Sequence, residues 1–476
     1  MGTTTKIAAL ALIAGGCGSS SGHTPDATAM PDAAPNGASF ATAIDLTSAL
    51  DSTSGTMGML PDTKTKLYYK LTLVAGDRIV AATQTNAEMT TDGSVTDTIV
   101  TIFDSAETAI AQDDDAWPRF STDSQVYFQA TAAGTYYLTV DDCNAESSSG
   151  CYPASGVTDF KYTLFVDHTS SAGTRESYAS STQDGTTAHA DKINYAVPSG
   201  DAAGQYGYYV IDGNFASTTA THVFQFTAPA AKIDLGARNH VDFWVQPISA
   251  ENGDGSTSNV KAWITAGNGV TIASSADQTN YKDGDNATNG PLNLTLPASE
   301  GVEYYLFVQN TATTSTPATD YYFIQHYAGS LYFGTAEGEG AGVTGMNDTV
   351  GTAQVLATPT GADAGSFFAD GDIGGAGDVD YYEVDPPSGT TKAAMSCSSA
   401  RQGSGVVGLT ATLYAADGTT VIHTLGPETA TADLIDATEF TVPTGTMKAY
   451  MKVTATSQSA AVTGTFYLCS VAYSAT

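Results

Sequence analysis

The sequence predicts an all-β chain: three tandem, jelly-roll-like antiparallel β-sandwich domains behind a signal peptide and a flexible tether. Three observations carry this. Short strand-like segments recur three times in the same order, each alternates with period two, and no helical periodicity of about 12 residues or more follows the leader. The 476 residues fit about three domains at roughly 150 residues each. With 50 acidic against 17 basic residues the net charge is −33, yet 42% of residues are hydrophobic. That content builds ordinary cores and excludes wholesale disorder. So acidic a surface repels nucleic acid and anionic lipid alike.

The N-terminus reads as an export signal. Lys6 precedes a short apolar run, Ile7 to Ala14, too short for a permanent span but suited to a secretory core. Cys17 follows Ala14, Gly15 and Gly16, and the segment resembles the lipobox of bacterial lipoproteins, in which the cysteine is lipidated. The usual leucine three residues before the cysteine is replaced by Ala14. Residues 1–16 are thus read as signal peptide and 17–37 as a solvated tether rich in Ser, Gly, Pro, Asp, Ala and Thr. Under the sorting rule of such lipoproteins, Gly18 after the cysteine implies the outer membrane or cell surface, with the lipid as membrane anchor.

The repeats follow, read as 38–168, 169–330 and 331–476. TIVTIFDSAE (Thr98 to Glu107) is answered by VKAWITAGNG (Val260 to Gly269) and LTATLYAADG (Leu409 to Gly418). AGTYYLTV (Ala133 to Val140) is answered by GVEYYLFV (Gly301 to Val308) and TMKAYMKV (Thr446 to Val453). DFKYTLFV (Asp159 to Val166) is answered by DYYFIQH (Asp320 to His326) and TFYLCSV (Thr465 to Val471). Leu138 and Val140 point one way and Tyr137 and Thr139 the other, the signature of half-buried antiparallel strands. Turn residues at 267–269 and 416–418 close hairpins.

Beyond Cys17, the even set Cys143, Cys151, Cys397 and Cys469 allows three pairings. Cys143 and Cys151 flank the polar loop NAESSSG, while Cys397 and Cys469 sit in strand-like segments. Cys469 occupies the inward position of Leu164 and Ile324, which favours a buried bridge to Cys397 and a local one between Cys143 and Cys151.

The run GDIGGAGDVDYYEV (Gly371 to Val384) resembles the opening of bacterial pre-peptidase C-terminal (PPC) domains. So do KLYYKLTLVAGDRIV (Lys66 to Val80), QDDD (Gln112 to Asp115) and AAGTYYLTV (Ala132 to Val140). The middle copy is similar through HVFQF (His222 to Phe226) and GVEYYLFV. The resemblance implies jelly-roll-like sandwiches serving as non-catalytic accessory modules that bind matrix or substrate and often carry calcium. No peptidase domain accompanies them here.

Acid-rich loops are the candidate metal sites: Asp113, Asp114 and Asp115, with Asp141 and Asp142 ending the strand that follows; Asp283, Asp285 and Asn286; and Asp370, Asp372, Asp378 and Asp380. Closely spaced aspartates supply the hard oxygens calcium takes, although Asp is also a preferred turn former and no EF-hand spacing occurs. Trp117, beside the DDD loop, is the candidate exposed binding residue, and Trp263, within a strand, is read as core. Seven scattered histidines form no HExxH, and the one GxSxG match, Gly18 to Gly22, lies in the tether. The expectation is a non-enzymatic envelope lipoprotein that binds an extracellular polymer or envelope protein. A spacer self-assembling through sheet edges is the alternative, and a hydrolase with an unrecognised site the third reading.

Overall fold

The computed structural model describes residues 37–52, 54–85, 95–113, 123–146, 157–169, 185–193, 206–230, 238–245, 256–274, 293–314, 319–329, 335–338, 345–357, 365–375, 377–429, 434–436 and 438–474. Among them β-strand dominates, and the one α-helical piece is the four-residue Cys143–Glu146. Cys17 and the signal and tether segments lie outside the described residues.

The same pair of sheets is built three times. In the first copy a five-stranded sheet runs Ile44–Asp45, Leu67–Leu73, Gly134–Asp142, Thr98–Phe103, Ala109–Asp113. Its partner is a four-stranded sheet running Thr56–Met59, Lys161–Thr169, Arg78–Gln84, Gln125–Gln129. The middle copy repeats the first order as Asp191–Ile193, Thr221–Thr227, Glu303–Asn310, Val260–Ala266, Thr271–Ser274. Its second sheet is Tyr206–Asn214, Tyr321–Gly329, His240–Val245, Asn293–Pro297. The third copy has Gln354–Val355, Val379–Glu383, Ala449–Thr454, Thr410–Ala415, Val421–Leu425. Opposite it, Thr335–Ala336, Ser366–Asp372, Phe466–Ser474 and Lys392–Ser398 are joined by Leu434–Ile435 and Phe440–Thr441.

Register shows why one pattern suffices. Tyr69, Leu138 and Ile102 face one another across three strands, as do Phe224, Leu306 and Ile264, and Tyr382, Met451 and Leu413. All nine side chains are buried, each burial stabilising by roughly 1.5–3 kcal/mol. Alternation then turns the intervening residues outward. A β-bulge follows Ile102, Ile264 and Leu413 at the same ladder position, and the three hairpins close on turns. Asp104 and Asp417 cap two of these by accepting backbone N–H bonds from Thr108 (2.9 Å) and Thr420 (2.8 Å). The antiparallel sandwiches depart from expectation at sheet edges, and in the third copy Thr335–Ala336 also pairs parallel with Ser366–Asp372 in the opposite sheet. A short parallel strand begins each five-stranded sheet after a 3₁₀ turn, Phe40–Thr42, Thr187–His189 or Val350–Thr352. Ser39 and Thr349 fix two of these turns through capping boxes with Thr42 and Thr352.

The predicted core bridge is present. Cys397 and Cys469 are directly opposite each other on Lys392–Ser398 and Phe466–Ser474, and their sulfurs form a disulfide inside the third core. Cys143 is also disulfide-bonded, while Cys151 lies outside the described residues.

The chain forms two compact units, Met1–Arg175 with Ile248–Ser256, and Glu176–Pro247 with Thr257–Thr476. The second unit therefore holds two sandwiches. There the edge strand Thr271–Ser274 of the middle copy is closed by backbone bonds from the third. Thr463 N–H donates to Thr271 O (3.0 Å), Gly464 N–H to Ile272 O (3.1 Å), and Ser274 N–H to Gly403 O (2.9 Å). Gly464 is required because a Cβ there would collide with Ile272 O, and Gly403 because its φ is +86°. Covered edges of this kind do not recruit other strands.

Candidate functional site

Four places gather polar or aromatic side chains, and each grows from a register position. The first is internal and repeated. Tyr162, Tyr322 and Tyr467 stand opposite Gly58, Gly213 and Gly371 on the neighbouring strand. At Gly371 any Cβ would strike the Tyr467 phenol. The phenol crosses to the other sheet, where Tyr162 meets the Tyr69 hydroxyl (2.7 Å) and Tyr467 that of Tyr382 (2.6 Å). In the middle copy Phe224 replaces that second tyrosine, so Tyr322 is met instead by His222 Nδ1 at 2.7 Å, two residues away on the same face.

Burial pushes the His222 imidazole down to about 4, against an upward pull from Asp191. Folded His222 is neutral, while an unfolded histidine titrates near 6.5. Between those values the unfolded chain binds more protons, so this contribution is complete above about pH 6.5 and is lost as pH falls toward about 4. Calorimetry of the second unit should show it about 2 kcal/mol less stable at pH 5 than at pH 7 from this group, with the difference removed in His222→Gln. An unchanged acid limb in the variant would refute the assignment.

The second place holds the predicted acidic residues. Asp113 Oδ2 accepts the Gln125 N–H at 2.8 Å. Asp114, Asp115, Asp283, Asp285 and Trp117 lie outside the described residues. Asp378 is spent on the turn before its strand, accepting N–H bonds from Gly374 and from Val379 (3.1 Å). Asp380 is fully buried and accepts from Tyr467 at 2.7 Å. Burial, then the hydrogen-bonded Glu337, hold the Asp380 carboxyl well above the usual carboxylate range. Asp378 and Asp380 thus serve the fold, and among the described residues no group of three or more His, Cys, Asp or Glu is arranged to hold a metal ion.

The third place joins Asp370 and Asp372, two of the candidate acids, to Arg238, which nothing in the sequence marked as their partner. Arg238 of the middle copy reaches into the third, its Nε 2.9 Å from Asp370 Oδ1, its terminal nitrogens on Asp370, Asp372 and, at 3.0 Å, Gly371 O. His240 Nε2 lies 3.4 Å from the same Asp370 carboxylate, and its Nδ1 2.9 Å from Arg238 O. Asp370 is fully buried, which opposes its ionisation, yet His240 and Arg238 hold the carboxyl far below the usual range. Burial likewise disfavours the Arg238 charge, and Asp370 and Asp372 more than offset it. Glu337 continues the network by accepting from Asp372 N–H (2.9 Å) and Asn347 Nδ2 (3.1 Å). The arrangement fastens the two sandwiches together.

The fourth place is the outward face of each five-stranded sheet. In the first copy it carries Tyr68, Phe103 and Tyr137, and Phe40 of the 3₁₀ turn roofs them edge-on at 4.8, 5.1 and 5.1 Å. In the third it carries Tyr381, Tyr414 and Tyr450, with Lys452 5.8 Å over Tyr381 and Lys448 5.5 Å over Tyr450. In the middle copy Trp263 and Phe307 are cross-strand partners whose rings stack at 5.0 Å and 7°, with Tyr305 alongside. Trp263 is not core, as its strand position suggested. Val260, Ala262 and Ile264 take the inward places and leave Trp263 outward and part-exposed. The signal was present in the repeat alignment, where Trp263 matches Thr101 and Thr412.

No family model and no curated protein sequence matches the chain. Among solved structures it is similar to a protein of Eubacterium rectale described as secreted, at 12% identity over 59% of this chain and 75% of that one, TM-score 0.16. It is also similar to tandem CBM51 modules of a family 98 glycoside hydrolase from Streptococcus pneumoniae, at 8% identity over 57% and 85% of the two chains, TM-score 0.17. The architecture rests on the sheets and registers above: tandem antiparallel β-sandwiches built three times on one pattern.

Proposed function

We propose that the chain is an exported, lipid-anchored, non-catalytic binding protein of the cell envelope, built from PPC-like sandwiches and meeting an extracellular polymer or a neighbouring envelope protein. One contrast supports the reading. The buried ladder, the Gly–Tyr pairs and the bulges are the same in every copy, whereas the outward faces differ: roofed in the first, lysine-covered in the third, open-ringed in the middle. A constant frame with varied surfaces suits recognition by faces and loops. Disulfide bonding at Cys397–Cys469 accords with an oxidising compartment. Capture of purified protein lacking residues 1–17 on isolated envelope polysaccharide or envelope proteins tests the binding, and no capture on either defeats it. Incorporation of labelled fatty acid, abolished by Cys17→Ala, tests the anchor.

A second reading, self-association, is favoured by one observation. The edge strand Thr56–Met59 presents Met57 (87% exposed) and Met59 (57%) on its outward side. Concentration-dependent sedimentation abolished by Met57→Lys would select it.

Calcium belongs to the proposal at Asp113 to Asp115 and at Asp283 and Asp285. A bound ion at a hundredfold excess over its dissociation constant adds about 2.7 kcal/mol. Chelator should therefore lower the melting temperature, and equal melting with and without it removes the ion.

A further inference from the structure

We infer that the outward face of the middle copy's five-stranded sheet, centred on Trp263 and Phe307, binds a neutral polysaccharide chain. This rests on the reading of the protein as a binding protein and names its site and ligand class. The three copies supply the comparison. Parallel-strand register makes Ile44, Asp191 and Gln354 equivalent, each beside the aromatic of its inward ladder. Four residues earlier stand Phe40, Thr187 and Val350, each opening its 3₁₀ turn. Phe40 roofs the aromatic face of the first copy, and Lys448 and Lys452 lie over the tyrosines of the third. In the middle copy the roof position is the short Thr187, and Trp263 and Phe307 stack on each other. Both rings are part-exposed, and among the described residues no further ring or lysine lies over the pair.

The border of the ring pair selects the ligand. Lys261 and Gln309 are partners on one side and Tyr305 borders the other, its partner Thr265 being buried, with Gln225 beyond Tyr305. Tyr305 donates to Glu303 Oε1 at 2.6 Å, and Gln225 Nε2 donates to the other oxygen of the same carboxylate. Lys261, Lys192 beside Gln225, and Glu303 leave this face within one charge of neutral in a chain of net charge −33. Two stacked rings set among amides, a tyrosine hydroxyl and a carboxylate match a pyranose, whose C–H face is apolar and whose hydroxyls donate and accept at the rim. Polyanions are repelled by the chain's overall charge. A stable protein partner would need about 800 Å² on this side with an apolar, charge-depleted centre, whereas here polar residues flank the ring pair on both sides along the strands. The neighbouring strand Thr271–Ser274 is held by Gly403, Thr463 and Gly464 of the third copy, so the face is formed before any ligand arrives.

The test is affinity electrophoresis of the full chain lacking residues 1–17 in gels containing soluble β-glucan, mannan or glycol chitin, with polygalacturonate as the anionic control. Retardation is expected in at least one neutral polymer and in none that is anionic. Trp263→Ala and Phe307→Ala should each weaken the retarding affinity at least about tenfold. Tyr381→Ala, on the equivalent face of the third copy, should leave it unchanged. Circular dichroism melts within a few degrees of the parent show that each variant is folded, and Trp263→Phe, which keeps a ring, should restore part of the binding. Retardation that survives both alanine variants overturns the site. Retardation only in polygalacturonate, or in none of the neutral polymers, overturns the ligand class. If envelope polysaccharide or protein still captures the parent chain in those cases, the binding reading stands without this site; if nothing captures it, both fall.

Discussion

Arg238→Ala should lower the stability of the second unit by about 3 kcal/mol, because it leaves the fully buried Asp370 carboxylate with only the 3.4 Å His240 contact. Asp372, whose side chain is 8% exposed, loses the same partner. For a unit of this size the melting temperature should fall by about 10 °C. Arg238→Lys should recover only part, since an ammonium cannot fork between two carboxylates and Gly371 O as the guanidinium does. Replacing the set together, Arg238→Met with Asp370→Leu and Asp372→Leu, should recover most of the loss, because buried ion pairs exchange for apolar side chains at little cost when no charge is left behind. The check is calorimetry of the full chain. A parent-like melt for Arg238→Ala would show that the clamp does not join the sandwiches.

The Cys397→Ala, Cys469→Ala double variant should lose about 4 kcal/mol in the same unit. The bridge closes a loop of 72 residues, which restricts the unfolded chain more than a local bridge does. Both sulfurs are buried in the third core, so their removal also leaves a cavity. Denaturant melts should shift only in the second unit, since Cys143 and its bridge are untouched. A loss confined to the first unit, or none, would contradict the placement.

How much of this was legible in the sequence follows from which interactions are local to a strand. Leu138, Leu306 and Met451 announce the inward ladder by alternation alone, and Cys469 joins it because it occupies the place of Leu164 and Ile324. The short parallel strands were missed because two or three residues carry no period. Trp263 was misplaced because a large apolar ring in a strand suggests core, although its neighbours Lys261 and Thr265 mark the opposite face from Val260, Ala262 and Ile264. Asp378 and Asp380 look like loop carboxylates in one dimension, yet one closes its own turn and the other is buried against Tyr467, whose approach depends on the folded third copy. Arg238 meets Asp370 across 132 positions and between two repeats; nothing in either segment marks the other as its partner.

The bonds that Thr463 and Gly464 give to Thr271 and Ile272 also set an order of events. A chain synthesised from its N-terminus emerges with the middle copy complete in sequence but with one flank of its sheet unsatisfied until nearly the last residues arrive. During that interval the Thr271–Ser274 backbone is a template for any passing strand, including its own counterpart on a second chain. Products ending near residue 330 should therefore form mixed-size assemblies, whereas the intact polypeptide supplies its own stopper.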